Sequence, residues 1–197
     1  MVHLPAGAEP GRSVDPLLSA RFRAYCAGVP SIPPPCHTRN DKTSDDWITP
    51  KWLIDALPAF DLDVCASKTQ PWPCAKQSYT ELDNGIMLPW SGFVYCNPPY
   101  GKATGAWLNR MALHNDGIAL VYARTDTQAF FRNVWPFASL LLFLEGRVTF
   151  HYPDGTKPKD GHNSGGPSVL IGYGKRAAKE LMNVRRLGSI VIPFRAD

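Results

Sequence analysis

The residues best suited to chemistry stand at Asn97-Pro98-Pro99-Tyr100, directly after the apolar run Phe93-Val94-Tyr95-Cys96. A short apolar run stopped by proline reads as a buried strand. In an open α/β sheet, ligands bind beyond the carboxyl ends of the strands, so this turn sits where a substrate belongs. Two consecutive prolines hold φ near about −65° and remove two N–H donors while leaving both carbonyls. Asn97 adds a side-chain carbonyl, and Tyr100 an aromatic face. The result is a rigid group of acceptors beside a ring. That suits an exocyclic amine, whose hydrogens need acceptors and which must be held against a face. Taken alone, the tetrapeptide also reads as a tight turn.

The elements that must position this turn alternate between strand and helix. Thr49-Pro50 opens a helix, with Thr49 as N-cap, Pro50 at the first helical position and Trp52, Leu53, Ala56 and Leu57 as its apolar face. Pro58 ends it, and 60–65 is a short strand. Residues 67–91 read as irregular. A helix over Thr104–Asn115 precedes a strand at Ile118–Tyr122. A helix at Thr127–Trp135 and strands at Ser139–Leu144 and Arg147–Tyr152 follow. A Gly/Pro/Lys-rich loop (153–167) leads to strand Ser168–Tyr173, helix Lys175–Arg186 and strand Ser189–Phe194. This alternation predicts an α/β sheet with helices on both faces. Residues 1–45 hold seven prolines and read as a loosely structured extension before a domain spanning 46–197.

Composition narrows the classes. The chain has 197 residues, 44% hydrophobic and 19% charged, with 19 Pro and 16 Gly. These values exclude a disordered chain, a coiled coil and a collagen-like repeat, and leave many turns. No apolar run approaches the about 18 residues of a membrane span. The N-terminus lacks a basic-then-apolar signal pattern, so a cytoplasmic setting is expected. Five cysteines form no C-x-x-C pair and are odd in number, against a disulfide framework or zinc ribbon. Cys36-His37 with Cys26 lacks a fourth ligand, so no metal site is expected. The net charge of +4 is uneven: residues 147–197 carry nine basic and four acidic side chains. A basic excess gathered in one region suits a polyanion such as nucleic acid.

The ordered set Asp46-Trp47-Ile48-Thr49-Pro50, residues 60–67 (Phe-Asp-Leu-Asp-Val-Cys-Ala-Ser), Asp83-Asn84-Gly85, Asn97-Pro98-Pro99-Tyr100-Gly101 and Ala123-Arg124-Thr125-Asp126-Thr127 resembles a known family. It is similar to the phage and prophage type of DNA adenine-N6 methyltransferase, the Dam family, over roughly residues 44–173. The resemblance implies a Rossmann-like class I methyltransferase sheet using S-adenosylmethionine. Asn97 and the Pro98 carbonyl would accept from the two hydrogens of the adenine amine, within the rigid Pro98-Pro99 turn. Tyr100 would stack on a base turned out of the duplex, and its electron-rich ring suits the charge passing from sulfur to nitrogen. Placement and fixed dipoles carry such a reaction without a metal or a Ser/His/Asp set.

The resemblance also assigns cofactor residues. Asp63 would face the cofactor's ammonium, and Cys65 and Ala66 stand in the loop that replaces the usual glycine-rich one. Thr49-Pro50 opens a helix toward its carboxylate, Asn97 borders it, and Asp83 would accept from its adenine amine. Tyr79 and Glu81 are weaker candidates for the adenine face and the ribose. Arg124, Arg147, Lys157 and Lys159, with His162 nearby, would face double-stranded DNA phosphates. The helix Lys175–Arg186 reads as a solvated basic face. Ser164-Gly165-Gly166-Pro167-Ser168 stands where relatives often carry Ala-Pro-Phe-Pro-Ser. The expected protein is a monomeric DNA adenine methyltransferase, of a kind often paired with restriction. Transfer to a glutamine amide or to RNA, and a non-catalytic DNA-binding protein of the same fold, are the alternatives. A nicotinamide enzyme is disfavoured because no G-x-G-x-x-G follows the first strand.

Overall fold

The structure is a computed structural model and describes residues 46–158 and 165–194. The proline-rich stretch 1–45, with Cys26, Cys36 and His37, and the loop residues Lys159 and His162 lie outside the described residues. In chain order the elements are α1 (Lys51–Ala56), β1 (Phe60–Asp63), β2 (Ala75–Ser78), β3 (Val94–Cys96), α2 (Thr104–His114), β4 (Gly117–Tyr122), α3 (Gln128–Asn133), β5 (Leu140–Leu144), β6 (Ser168–Tyr173), α4 (Gly174–Asn183) and β7 (Gly188–Val191). A single 3-10 turn, Arg185–Leu187, joins α4 to β7.

The seven strands form one sheet in the order β2-β1-β3-β4-β6-β5-β7. Strands β2, β1, β3 and β4 are mutually parallel. β6 runs antiparallel between β4 and β5, and β7 closes the far edge antiparallel to β5. From β1 the chain moves outward to β2, then returns to the other side of β1 as β3 and continues to β4. The strand order therefore reverses between β1 and β3, which opens a crevice at their carboxyl ends.

Alternate residues of each strand feed two cores, one on each face. Tyr95, Ile118, Leu120, Leu142 and Leu170 pack with Leu53 and Leu57 around α1 and with Ala177 and Leu181 of α4. Val94, Cys96, Ala119, Val121, Leu141 and Ile171 pack with Leu108 and Met111 of α2 and Phe130 of α3. The central strands are buried on both sides, and burial of this kind contributes about 25 cal/mol per Å² of apolar surface.

Several local expectations need correction. Thr49 does not cap α1. Pro50 is the cap residue, with φ −61° and ψ 142°, and its carbonyl accepts from Leu53 N–H at 3.0 Å. The Thr49 hydroxyl instead meets the Tyr95 hydroxyl at 2.8 Å in the interior. Trp52 is exposed, and Leu53 and Leu57 carry the buried face. The stretch 67–91 contains strand β2, whose Ala-Lys-Gln-Ser sequence lacks β-branched and aromatic residues because it lies on an exposed edge. Residues 147–152 form no strand: Ile48 and His151 exchange one pair of backbone bonds, both 2.9 Å, and pairing stops there. Thr127 caps α3, its hydroxyl accepting from Phe130 N–H. α2 ends as its sequence requires, with Asn115 at φ 55°.

Candidate active site at the carboxyl edge of the sheet

Asn97 leaves β3 at the point where the strand order reverses. Its Nδ2 donates to the Trp47 carbonyl at 2.9 Å, which fixes the amide plane. Its Oδ1 is buried and, among the described residues, has no hydrogen-bond partner. Such a group is uncommon in a folded protein and needs a reason. Pro98 is buried and Pro99 exposed. The Pro99 carbonyl accepts from the Thr104 hydroxyl at 3.0 Å, which ties the turn to the start of α2.

Asn97 and Asp63 line the same small cavity, together with Trp47, Thr49, Cys65, Ser67, Gln70, Cys74 and Tyr95. Its volume is about 10 Å³, room for about one water molecule. Asp63 ends β1 and is 2% exposed. One carboxylate oxygen accepts from Cys65 N–H at 3.0 Å and the other from the Cys74 thiol at 2.7 Å. Burial nevertheless outweighs these bonds and raises the Asp63 pKa above the ordinary carboxylate value. The Cys74 thiol is pushed up by burial and by the adjacent carboxylate, so it remains a neutral donor.

The segment after β1 is held over this cavity by the side chains of Ser67, Gln70 and Trp72, the last two outside the motifs quoted above. Ser67 Oγ donates to Asp46, and Gln70 accepts from Ser67 N–H while donating to Cys74 Sγ. Trp72 Nε1 donates to the Thr49 carbonyl at 2.8 Å. Ala66 is buried, its N–H donating to the Tyr79 carbonyl at 2.9 Å. Polar residues in a proline-rich, irregular stretch carry no periodic signal, and only their proximity to Asp63 in sequence marks them.

Asp83 stands apart from this cavity. It is exposed, and its carboxylate accepts from the Thr80 N–H and hydroxyl, both at 2.8 Å, which lowers its pKa. The turn continues through Asn84 at φ 54° to Gly85, where a Cβ would come within 2.5 Å of the Val64 carbonyl. Only glycine lets this turn close on the end of β1. Glu81 forms an ion pair with Lys68, and the Tyr79 hydroxyl donates to the Pro89 carbonyl.

Tyr100 lies beyond the turn in an aromatic column. Its ring stacks on Tyr122 at 4.2 Å between centroids and 14° between planes, with Phe150 edge-on at 6.1 Å. Burial, then the neighbouring Tyr122 phenol, raises the Tyr100 hydroxyl above the ordinary tyrosine value. Tyr122, at the end of β4, receives Gly165 N–H on its own hydroxyl at 3.2 Å. The Arg124 guanidinium lies 5.7 Å from the Tyr122 ring centre and is exposed. Arg147 and Lys157 are also exposed. Among the described residues no group of three His, Cys, Asp or Glu side chains could hold a metal, and no helix is long and apolar enough to cross a membrane.

A mixed α/β sheet with its polar site at the carboxyl edge, where the strand order reverses, is compatible with a methyltransferase-like fold. Residues 36–186 match the family model described as DNA N-6-adenine-methyltransferase (Dam), and the chain belongs to that family. No curated protein and no solved structure matches it.

Proposed function

We propose that this protein transfers a methyl group from S-adenosylmethionine to the exocyclic N6 amine of adenine in double-stranded DNA, with the base turned out of the helix. The observation that carries this reading is the buried, unpartnered Asn97 Oδ1, fixed by Trp47 and sharing a cavity with the Asp63 carboxylate. The cofactor supplies a methyl group on a positively charged sulfur. The donor set suits it: Asp63 is an acid with no cation in its described contacts, placed to receive an ammonium. Thr49 and Cys65 line the same cavity, Pro50 and Ala66 are their chain neighbours in the assigned cofactor set, and Asp83 is the acid assigned to the cofactor's adenine amine.

Adenine's amine is a weak nucleophile because its lone pair is delocalised into the ring. Asn97 Oδ1 and the Pro98 carbonyl would accept its two hydrogens and favour a tetrahedral nitrogen, freeing the lone pair for in-line attack on the methyl carbon; the carbon–sulfur bond would break to leave a neutral thioether, and one amine proton would pass to solvent. Both acceptors are held before the base arrives, so little reorganisation accompanies the reaction. Tyr100 supplies the stacking face, and Tyr122 covers the opposite side of its ring. Arg124, Arg147 and Lys157 are exposed for phosphate contacts, with Lys159 their expected neighbour. A DNA-acting enzyme is consistent with the cytoplasm of a bacterial or phage-infected cell, and a monomer is the state proposed.

The test is incubation with methyl-labelled cofactor and unmethylated DNA, followed by digestion to nucleosides. Label in N6-methyl-2′-deoxyadenosine supports the reading. Label in RNA or in protein glutamine moves the activity to another amine, and no label from folded protein leaves a DNA-binding module.

A further inference from the structure

We infer that Cys74 is a positioning residue for the methyl donor: its thiol holds the Asp63 carboxylate in the orientation that receives the donor's ammonium group. The inference rests on the cofactor role proposed above for Asp63 and adds a residue that acts through it. Asp63 closes β1, and Cys74 stands eleven residues on, immediately before β2. The Cys74 thiol donates to Asp63 Oδ2 at 2.7 Å. Gln70 sets the direction of that bond. Ser67 N–H donates to Gln70 Oε1 at 3.2 Å, which turns the Gln70 amide nitrogen toward Cys74, and Nε2 donates to Sγ at 2.9 Å. With the sulfur accepting from Gln70, its hydrogen is left to Asp63. Cys65 N–H holds Oδ1 at 3.0 Å, so each carboxylate oxygen has one donor from the protein.

Two such bonds do not complete a carboxylate, which offers about four acceptor sites. Asp63 is 2% exposed, and no lysine, arginine or histidine among the described residues lines its cavity. The open sites therefore suit a cation that a ligand brings, and the methyl donor carries an ammonium. Cys74 serves that contact in two ways. By tying the second oxygen it fixes the plane of the carboxylate, so the open lone pairs keep one direction. It also favours the ionised form against the cost of burial, and an ammonium requires the ionised form. An alanine at this position would do neither. A serine hydroxyl would do both, because it keeps a donor there.

The experiment measures binding of S-adenosylhomocysteine, which keeps the ammonium and is not consumed, and of its deamino analogue, which lacks only that group. Calorimetry on the full chain gives the ratio of the two affinities for wild type, Cys74→Ser and Cys74→Ala. Loss of folded molecules changes the stoichiometry and cancels from the ratio. Cys74→Ala should lower the preference for the ammonium-bearing probe by about tenfold, the scale of one hydrogen bond, and Cys74→Ser should restore it. Asp63→Asn should lower the preference too, and adding Cys74→Ala to it should change nothing more, because Cys74 acts through the carboxylate. A wild-type ratio in Cys74→Ala, whether both probes bind normally or both are weakened alike, overturns the inference and leaves Cys74 a packing residue. A ratio in Cys74→Ser as low as in Cys74→Ala does the same. A wild-type ratio in Asp63→Asn, or binding of neither probe to wild type, removes the cofactor role of Asp63 itself, and the inference falls with it.

Discussion

Removing the Asn97 side chain separates positioning from folding. The amide makes one protein hydrogen bond, to the Trp47 carbonyl at 2.9 Å, and holds one oxygen for the substrate. Asn97→Ala loses the first from the folded protein, at about 1 kcal/mol, or about 2–4 °C in Tm for a chain of this size. It loses the second only in the reacting complex. Loss of one preorganised partner of this kind lowers rate by about 10²–10³, equivalent to about 3–4 kcal/mol. The expected result is a folded protein that largely retains S-adenosylmethionine binding by calorimetry and transfers methyl slowly in a single turnover. Asn97→Asp should reverse the balance. It keeps an oxygen for the amine but sets a second one against the Trp47 carbonyl, so it should destabilise more than Ala and retain more transfer. A normal single-turnover rate in folded Asn97→Ala would refute the reasoning, because the tetrapeptide would then be only a turn.

Tyr100→Ala should weaken capture of the extruded base by roughly 1–3 kcal/mol, followed with a fluorescent adenine analogue at the target, whereas Tyr100→Phe keeps the ring and should be mild. The buried Asp63 carboxyl has its pKa raised above 3.8, so its contribution to stability is full at acid pH and falls as pH rises through the folded-state value. Asp63→Asn should therefore raise Tm at neutral pH, with the gain vanishing toward about pH 3, while weakening cofactor binding; unchanged affinity would remove its cofactor role. Replacing Lys157 and Lys159 with Ala should lower DNA affinity alike for all sequences and reduce the salt slope by about two. A changed methylation sequence would instead mean that this loop reads bases.

The sheet's centre was legible because its strands are near-continuous apolar runs bounded by proline, glycine or asparagine. Phe93-Val94-Tyr95-Cys96 and Gly117–Tyr122 announce themselves in this way, as does the Asn115 stop of α2. Legibility failed where tertiary contact overrode local preference. β2 exists because Ala75, Gln77 and Ser78 find backbone partners along β1, not because their side chains favour a strand. Arg147–Tyr152 alternates as a strand would, but only His151 reaches a partner, Ile48. Thr49 followed by Pro50 looks like a helix cap, yet its hydroxyl is drawn inward by Tyr95. Within the site, the tetrapeptide and Asp63 stood out by residue type. Ser67, Trp72 and Cys74 act through hydrogen bonds to Asp46, Thr49 and Asp63, which are distant in sequence, and local spacing does not encode these.

A sheet buried on both faces can tolerate unfavourable groups at one edge. Asp63, Asn97 Oδ1 and Ser168 Oγ are each buried at the carboxyl ends of β1 and β3 or at the adjoining start of β6. Each is less stable there than an apolar side chain of similar size would be. The apolar strands beneath them supply the compensating stability, and they also hold the polar groups in place. Asp63 and Asn97 stand on adjacent parallel strands whose backbone bonds fix their separation. Ser168 is tied to Tyr122 by an antiparallel ladder that extends down to Gly117 and Tyr173. Asp63 is satisfied there by Cys65 N–H and the Cys74 thiol, whereas Asn97 Oδ1 and Ser168 Oγ have no partner among the described residues. Stability concentrated in the sheet and deficit concentrated at its edge are thus two consequences of one topology.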